Sequence, residues 1–356
     1  MTEQSLHSRP EHAGPAKPQV KPTPARSARE AYSALLPELM LADERLYCLD
    51  SDTGLFAPDA FAAVPGRYLN LGIAEQSLMG TAAGLAASGK IPFVTTMATF
   101  AATRALEAIK IDIAYNALPV RIVATHGGLA AGHLGPTHHA LEDLAVMRTL
   151  PGLTVVVPAD AGQAEAAIRQ SAALPGPVYV RLGRKATPDV GGGAFEIGRA
   201  QWLRPAGAGA SPDVVPPPGD VAIIACGPHP VLAALRAADR LEARGVRATV
   251  LNLHTLRPLD VDAVVAAVAG TAGAVTVEEH WRSGGLGGAV AETLAEHAPA
   301  RVARVGMPDV FAGRAGGQDD LLERYGITGD AVVTAAINLI TGIPGGNTDE
   351  SDLSRM

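Results

Sequence analysis

The sequence predicts an α/β protein made of two doubly wound, mostly parallel-sheet domains. Short apolar runs such as Leu46–Asp50, Pro92–Thr96, Val120–Thr125 and Val221–Ala225 alternate with longer helical stretches. That alternation marks strands covered on both faces by crossover helices. At 356 residues the chain is too long for one ordinary core and suits two. A break falls between them: Gly191-Gly192-Gly193 is followed by Pro205–Gly219, which contains Pro216-Pro217-Pro218. Such a composition does not build a compact element.

Residues 1–26 carry Pro10, Pro15, Pro18, Pro22 and Pro24 with little to bury, and are expected to be disordered. The first domain is expected over 27–185. Its helices are predicted at about 28–40, 74–88, 98–116, 139–149 and 160–173. Its strands are predicted at Leu46–Asp50, Pro92–Thr96, Val120–Thr125, Thr154–Val157 and Val178–Leu182. Residues 186–219 read as a linker with a short β-excursion around Phe195–Leu203. The second domain, 220–343, begins at Val221–Ala225. It continues through helix 229–244, strand Ala248–Leu253, helix 260–269, strand Ala274–Val277, helix 285–297 and strand Val302–Val305. Residues 344–356 read as a flexible tail.

Composition narrows the function classes. A net charge of −7 offers no basic field for nucleic acid. No apolar run approaches the roughly 20 residues of a membrane span, and residues 1–26 contain no apolar signal core. A cytoplasmic protein is expected. Its two cysteines, Cys48 and Cys226, stand far apart in apolar surroundings and read as buried reduced thiols.

Two stretches carry chemistry. Gly72-Ile73-Ala74-Glu75-Gln76 places a carboxylate at the head of a helix of small residues, Ser77–Ala87. Free N–H groups and the helix dipole make that position suited to negative charge. The second stretch runs from His126 to His139 and holds four histidines: His126, His133, His138 and His139. It follows a predicted strand, so it lies at a carboxyl end, where open parallel sheets bind ligands. The spacing matches no helical zinc pair and no Cys completes a set, so no metal site is expected on this chain.

The run Gly72–Thr96, Gly135-Pro136-Thr137-His138, Leu141–Ala145 and Val157-Pro158-Ala159-Asp160 resemble the pyrimidine-binding domain of transketolases. Leu253–Asp260, Val277-Glu278-Glu279-His280, Gly284-Gly285-Leu286-Gly287 and Val305–Asp309 resemble that family's C-terminal domain. The order is the family's, over about 28–342. The nearest resemblance is to the C-terminal subunit of a split, two-chain transketolase. That resemblance implies thiamine diphosphate as cofactor, with Glu75 hydrogen-bonding a ring nitrogen of its aminopyrimidine. It implies Phe100 stacked on the pyrimidine, Met97 where the family has another aromatic, and Asp52 as a nearby carboxylate. Ala74, Leu78 and Phe100 are expected to wall Glu75 with apolar groups. His126, Arg184 and Arg29 match positions that grip a sugar phosphate, and His138 matches a catalytic histidine.

Two departures stand out. Transketolases place two acidic residues where this chain has His133-Leu134, and the second binds an acceptor hydroxyl. Leu134 accepts no hydrogen bond, so a less hydroxylated substrate is expected. No Gly-Asp-Gly occurs, and nothing resembles a diphosphate cradle. The diphosphate and Mg²⁺ are therefore expected on an N-terminal transketolase subunit, in an α2β2 heterotetramer. The chain reads as part of an enzyme transferring a two-carbon ketol or acyl unit. The β-type subunit of a 2-oxo acid decarboxylating complex and a non-catalytic scaffold subunit remain as alternatives. In the second domain, the glutamates and glycines at 278–288 are read as structural.

Overall fold

The computed structural model describes residues 26–204 and 215–343. The expected disorder of 1–26 and the tail 344–356 fall outside these residues, apart from Arg26. Ser27 opens α1 (Ala28–Ala42) with a capping box: its hydroxyl accepts from Glu30 N, and Glu30 accepts from Ser27 N. The chain continues through β1 (Leu46–Asp50), β2 (Tyr68–Asn70), α2 (Glu75–Ala87) and β3 (Ile91–Met97). It then forms α3 (Ala98–Thr103), α4 (Leu106–Ala108), a π-turn over Ile109–Ala114, and β4 (Arg121–Thr125). After a long loop come α5 (Asp143–Thr149), β5 (Thr154–Val156), α6 (Ala161–Ala173) and β6 (Val178–Arg181).

The predicted continuous helix over 98–116 is therefore broken. The wider π-turn sets Ile109 and Ile113 fully inside, whereas Ile111 remains 48% exposed. Asn116 Nδ2 takes up the carbonyls of Ile111 and Asp112 at 3.0 and 3.1 Å.

β7 (Gln201–Arg204) overlaps the end of the short β-excursion expected around Phe195–Leu203 and forms an edge strand antiparallel to β9 (Ala248–Asn252). The second sheet also contains β8 (Val221–Ala225), β9 (Ala248–Asn252), β11 (Ala274–Trp281) and β12 (Val302–Met307), in the order β12-β11-β8-β9-β7. Its helices are α7 (Pro228–Glu242), α8 (Val261–Val268), α9 (Leu286–His297), α10 (Gln318–Arg324) and α11 (Gly329–Thr341). One strand of this half, β10 (Thr255–Arg257), crosses over and pairs antiparallel with β5. The first sheet thus runs β10-β5-β6-β4-β3-β1-β2, parallel except for β10. Its strand order reverses between β1 and β3, which opens a crevice at their carboxyl ends.

The two domains share one apolar core. Leu153, Val155 and Tyr179 of the first join Trp202, Ile224, Leu253, Leu256 and Leu286 of the second in a continuous buried cluster. Both cysteines are buried and unbridged. Among the described residues no helix is long and apolar enough to cross a membrane.

Candidate active site

The sequence-predicted residues gather along the carboxyl edge of the first sheet. Asn70 ends β2; its side chain donates to Asp52 at 3.2 Å and accepts from Gly72 N at 2.9 Å. This ties the loop after β1 to the tight turn at Gly72, whose φ of +69° suits glycine. Ala74 caps α2 by its backbone alone, and Glu75 follows as the first helical residue, only 4% exposed. Burying a carboxylate is costly unless it is met by partners.

Its partner departs from the expected apolar wall. Arg104 Nη1 stands 3.4 Å from both Glu75 oxygens. The same guanidinium lies over the Phe100 ring, 4.0 Å from its centroid, an ordinary cation–π distance. The local fold explains the encounter. α3 ends one turn after Phe100, and Arg104 N donates to Phe100 O, so the two side chains emerge on one face. Bonds of 3.4 Å are long and leave Glu75 with acceptor capacity. The edge of His138 meets Phe100 at 5.2 Å and 73°. Thr137 Oγ1 holds His138 Nδ1 at 2.8 Å, which leaves Nε2 as the free ring nitrogen. Met97 caps α3 beside this group and is half-buried.

A basic recess lies alongside. His126 follows β4 with a φ of +60° and is paired through Nδ1 to Thr125 Oγ1 at 3.0 Å. Burial first, then the nearby Arg29, Arg184, His133 and His138, push its pKa down to about 3, so the ring is neutral. Burial and Arg184 also lower the Arg29 pKa. The Arg29 Nε is buried and has no protein acceptor. A recess of about 320 Å³ is lined by Arg29, Arg184 and Lys185 together with Glu30, the serines Ser27 and Ser33, and the Gly54-Leu55 turn. The guanidiniums of Arg29 and Arg184 outweigh the single Glu30 carboxylate on its wall, and the unpartnered Arg29 N–H is placed to meet an anion. Lys185, which no sequence motif singles out, is held by Asp319 at 2.7 Å.

His133 and Leu134 lie on the single turn Gly132–Leu134 and face outward, with Leu134 44% exposed. Leu134 therefore packs under nothing. Among the described residues no three His, Cys, Asp or Glu side chains are grouped to hold a metal ion.

In the second domain, Glu278 accepts from Leu286 N at 2.7 Å and Gly287 N at 2.9 Å, so it caps α9. Burial raises its carboxyl to about 7 against those hydrogen bonds. This supports the structural reading of that residue.

The pyrimidine part of thiamine diphosphate fits the first group of residues: a buried carboxylate with spare acceptor capacity beside an aromatic face. Comparison with known proteins agrees. Residues 25–190 match the family model described as "Transketolase, pyrimidine binding domain", and 213–332 match "Transketolase, C-terminal domain". The chain is 39% identical over 314 residues to the 6-deoxy-6-sulfo-D-fructose transketolase subunit SqwH of Clostridium sp. (strain MSTE9), covering 86% of this chain and 92% of that one. It is 36% identical to one of the subunits of the apulose-4-phosphate transketolase of Phocaeicola vulgatus, covering 88% and 97%. A solved structure titled "Split gene transketolase, inactive beta4 tetramer" superposes with a TM-score of 0.77 at 41% identity, covering 88% and 98%. The chain belongs to the transketolase family, as a subunit that carries the pyrimidine-binding and C-terminal domains.

Proposed function

We propose that Glu75 is the proton-handling carboxylate of a split transketolase whose cofactor site is completed by a partner subunit. The observation that carries this is the buried Glu75 carboxylate at the head of α2, beside the Phe100 face and the free nitrogen of His138. When bound, thiamine diphosphate supplies the carbon nucleophile for ketol transfer. This chain's part is orientation and proton traffic. Glu75 hydrogen-bonds the pyrimidine, Phe100 and Met97 hold its face, and Asp52 lies at the same crevice. His138 serves as the acid–base group towards substrate oxygens. The diphosphate and Mg²⁺ are assigned to an N-terminal subunit in an α2β2 assembly, and the enzyme to the cytoplasm.

The basic recess suits the charged end of a sugar. Arg29 and Arg184 supply the charge, and neutral His126 can donate through one ring nitrogen only. One relative is named for a sulfo sugar and the other for a sugar phosphate, and both substituents are anions the recess could hold. Leu134 and His133 at the rim favour an acceptor with fewer hydroxyls than an ordinary pentose phosphate. The 2-oxo acid dehydrogenase β-subunit and the scaffold reading are not favoured, since these relatives are named as transketolase subunits.

The test uses the chain assembled with its partner and saturated with cofactor. Glu75→Gln keeps the shape but cannot exchange a proton, so ketol transfer should fall by about 10²–10⁴-fold. Retention of half the wild-type rate, with cofactor bound, would refute this role.

A further inference from the structure

The carboxyl ends of β8 and β11 are the place where the second sheet would hold a ligand of its own, because its strand order reverses there. In this molecule that crevice is filled by the first domain. A Cβ on Gly227, after β8, would meet Val157 at 3.2 Å, and Gly183 packs against Pro228. Arg181, buried at the end of β6, donates to Ala140 O at 2.7 Å and Glu279 O at 3.0 Å. It also pairs through Nε with the fully buried Asp143 at 3.0 Å. Arg181 also lies against the loop that runs from His126 to His139, since a Cβ on Gly127 would stand 2.5 Å from its Nε.

Glu279 reaches furthest into that loop. Its Oε1 accepts from Leu129 N at 2.7 Å and from Gln318 Nε2 at 2.8 Å, and the residue is 5% exposed. Gly128, with φ +64°, bridges Ala140 through reciprocal backbone bonds of 3.0 and 2.9 Å. It lies so close that a Cβ there would stand 2.5 Å from Glu279 Cγ. Leu129 and Leu141 insert into an apolar cluster made otherwise of second-domain residues, including Met307, Leu321 and Tyr325. Gly316 N bonds Gly132 O at 2.9 Å, where a Cβ on Gly132 would clash at 2.6 Å. Between these anchors the loop turns outward with His133, Leu134 and His138.

We propose that Glu279 is a positioning residue of the active site. It clamps the Leu129 amide so that the loop presents His126 and His138 in register with Glu75. The second domain thereby sets substrate geometry without touching substrate. The proposal rests on the ketol-transfer reading of the site. A loop bearing two site histidines requires such fixing, because small displacements of positioned groups cost large factors in rate.

The experiment compares Glu279→Ala, Glu279→Gln and Gln318→Ala in the assembled enzyme. It measures hydrogen exchange at the Leu129 amide together with kcat and KM for a ketose donor and an aldehyde acceptor. Glu279→Ala should speed Leu129 exchange by at least about tenfold. It should also lower kcat/KM by roughly tenfold to a hundredfold. Glu279→Gln keeps an oxygen for Leu129, and its amide can meet Gln318 Oε1, which lacks a partner. It should therefore stay within about threefold of wild type in both readouts. Gln318→Ala should fall between them, and it decides the matter with Glu279→Gln if the alanine variant does not assemble. Unchanged exchange and unchanged KM in Glu279→Ala overturn the clamp. Equal damage in Glu279→Gln with Leu129 still protected overturns it too, because charge and not the hydrogen bond would then matter. Absence of ketol transfer from the wild-type assembly would instead refute the functional reading, while exchange at Leu129 still reports on the clamp.

Discussion

Leu134 stands outward on its turn with 44% of its surface exposed, so a carboxylate placed there disturbs no packed core. Leu134→Asp should change stability by less than about 0.5 kcal/mol, as surface substitutions do. The new acceptor should favour hydroxylated aldehydes by about 1.5–3 kcal/mol, the range for a hydrogen bond to a charged group. The check is the ratio of kcat/KM for ribose 5-phosphate to that for a dehydroxylated aldehyde; an unchanged ratio removes Leu134 from the specificity argument. Most of the site is legible at this scale, because Glu75, Phe100, His126 and His138 each lie in a motif that a sequence displays. Arg104 is not. It follows Phe100 by four residues, a spacing that stacks side chains on one helix face, and that much is readable. Its other partner, Glu75, lies 29 residues away, and only the fold joins them. Lys185 escapes for the same reason, since Asp319, which holds it, belongs to the other domain.

The head of α9 shows how an element depends on a missing side chain. A Cβ at Gly285 would lie 2.1 Å from Glu278 Oε2 and 2.7 Å from His280 Nδ1. Gly285→Ala must therefore push Glu278 off the amides of Leu286 and Gly287. Overpacking of this kind costs about 1–3 kcal/mol, read as a lowered urea midpoint. Gly84→Ala in α2 meets nothing within 4 Å and should raise stability by about 0.5–1 kcal/mol, the usual preference for alanine in a helix. If both substitutions gave the same shift, the packing argument at α9 would fail. The elements legible in the sequence are those with length, such as α2, or with both length and period, such as α7. β2 and β10 have three residues each, too few to show an alternation. The π-turn at Ile109–Ala114 keeps an apolar pattern that reads as ordinary helix. α10 and α11 lie beyond the last predicted strand, where no further strand alternates with them to mark their place.

Across the whole molecule, burial holds His126 and His254 near 3 and His280 near 4. Unfolding returns each to about 6.5, so below that value the unfolded chain binds more protons and stability falls with falling pH. Glu278 opposes this: raised to about 7 when folded, it binds its proton more tightly in the native state between about 4.5 and 7. The balance is a net uptake of about two protons on unfolding near pH 5.5. Stability should be level above pH 7 and decline steadily towards pH 5, as denaturant midpoints at a series of pH values would show. A midpoint that rises on acidification would contradict the assignment of buried neutral histidines. The crossing of β10 has a consequence for the order of synthesis. A ribosome releases the strands of the first sheet up to β6 well before Thr255–Arg257 emerges, so the growing chain carries β5 with one side bare. Bare edges recruit strands from neighbouring molecules. The nascent chain is therefore most vulnerable to sticking to its neighbours until residue 257 has left the tunnel and closed the sheet.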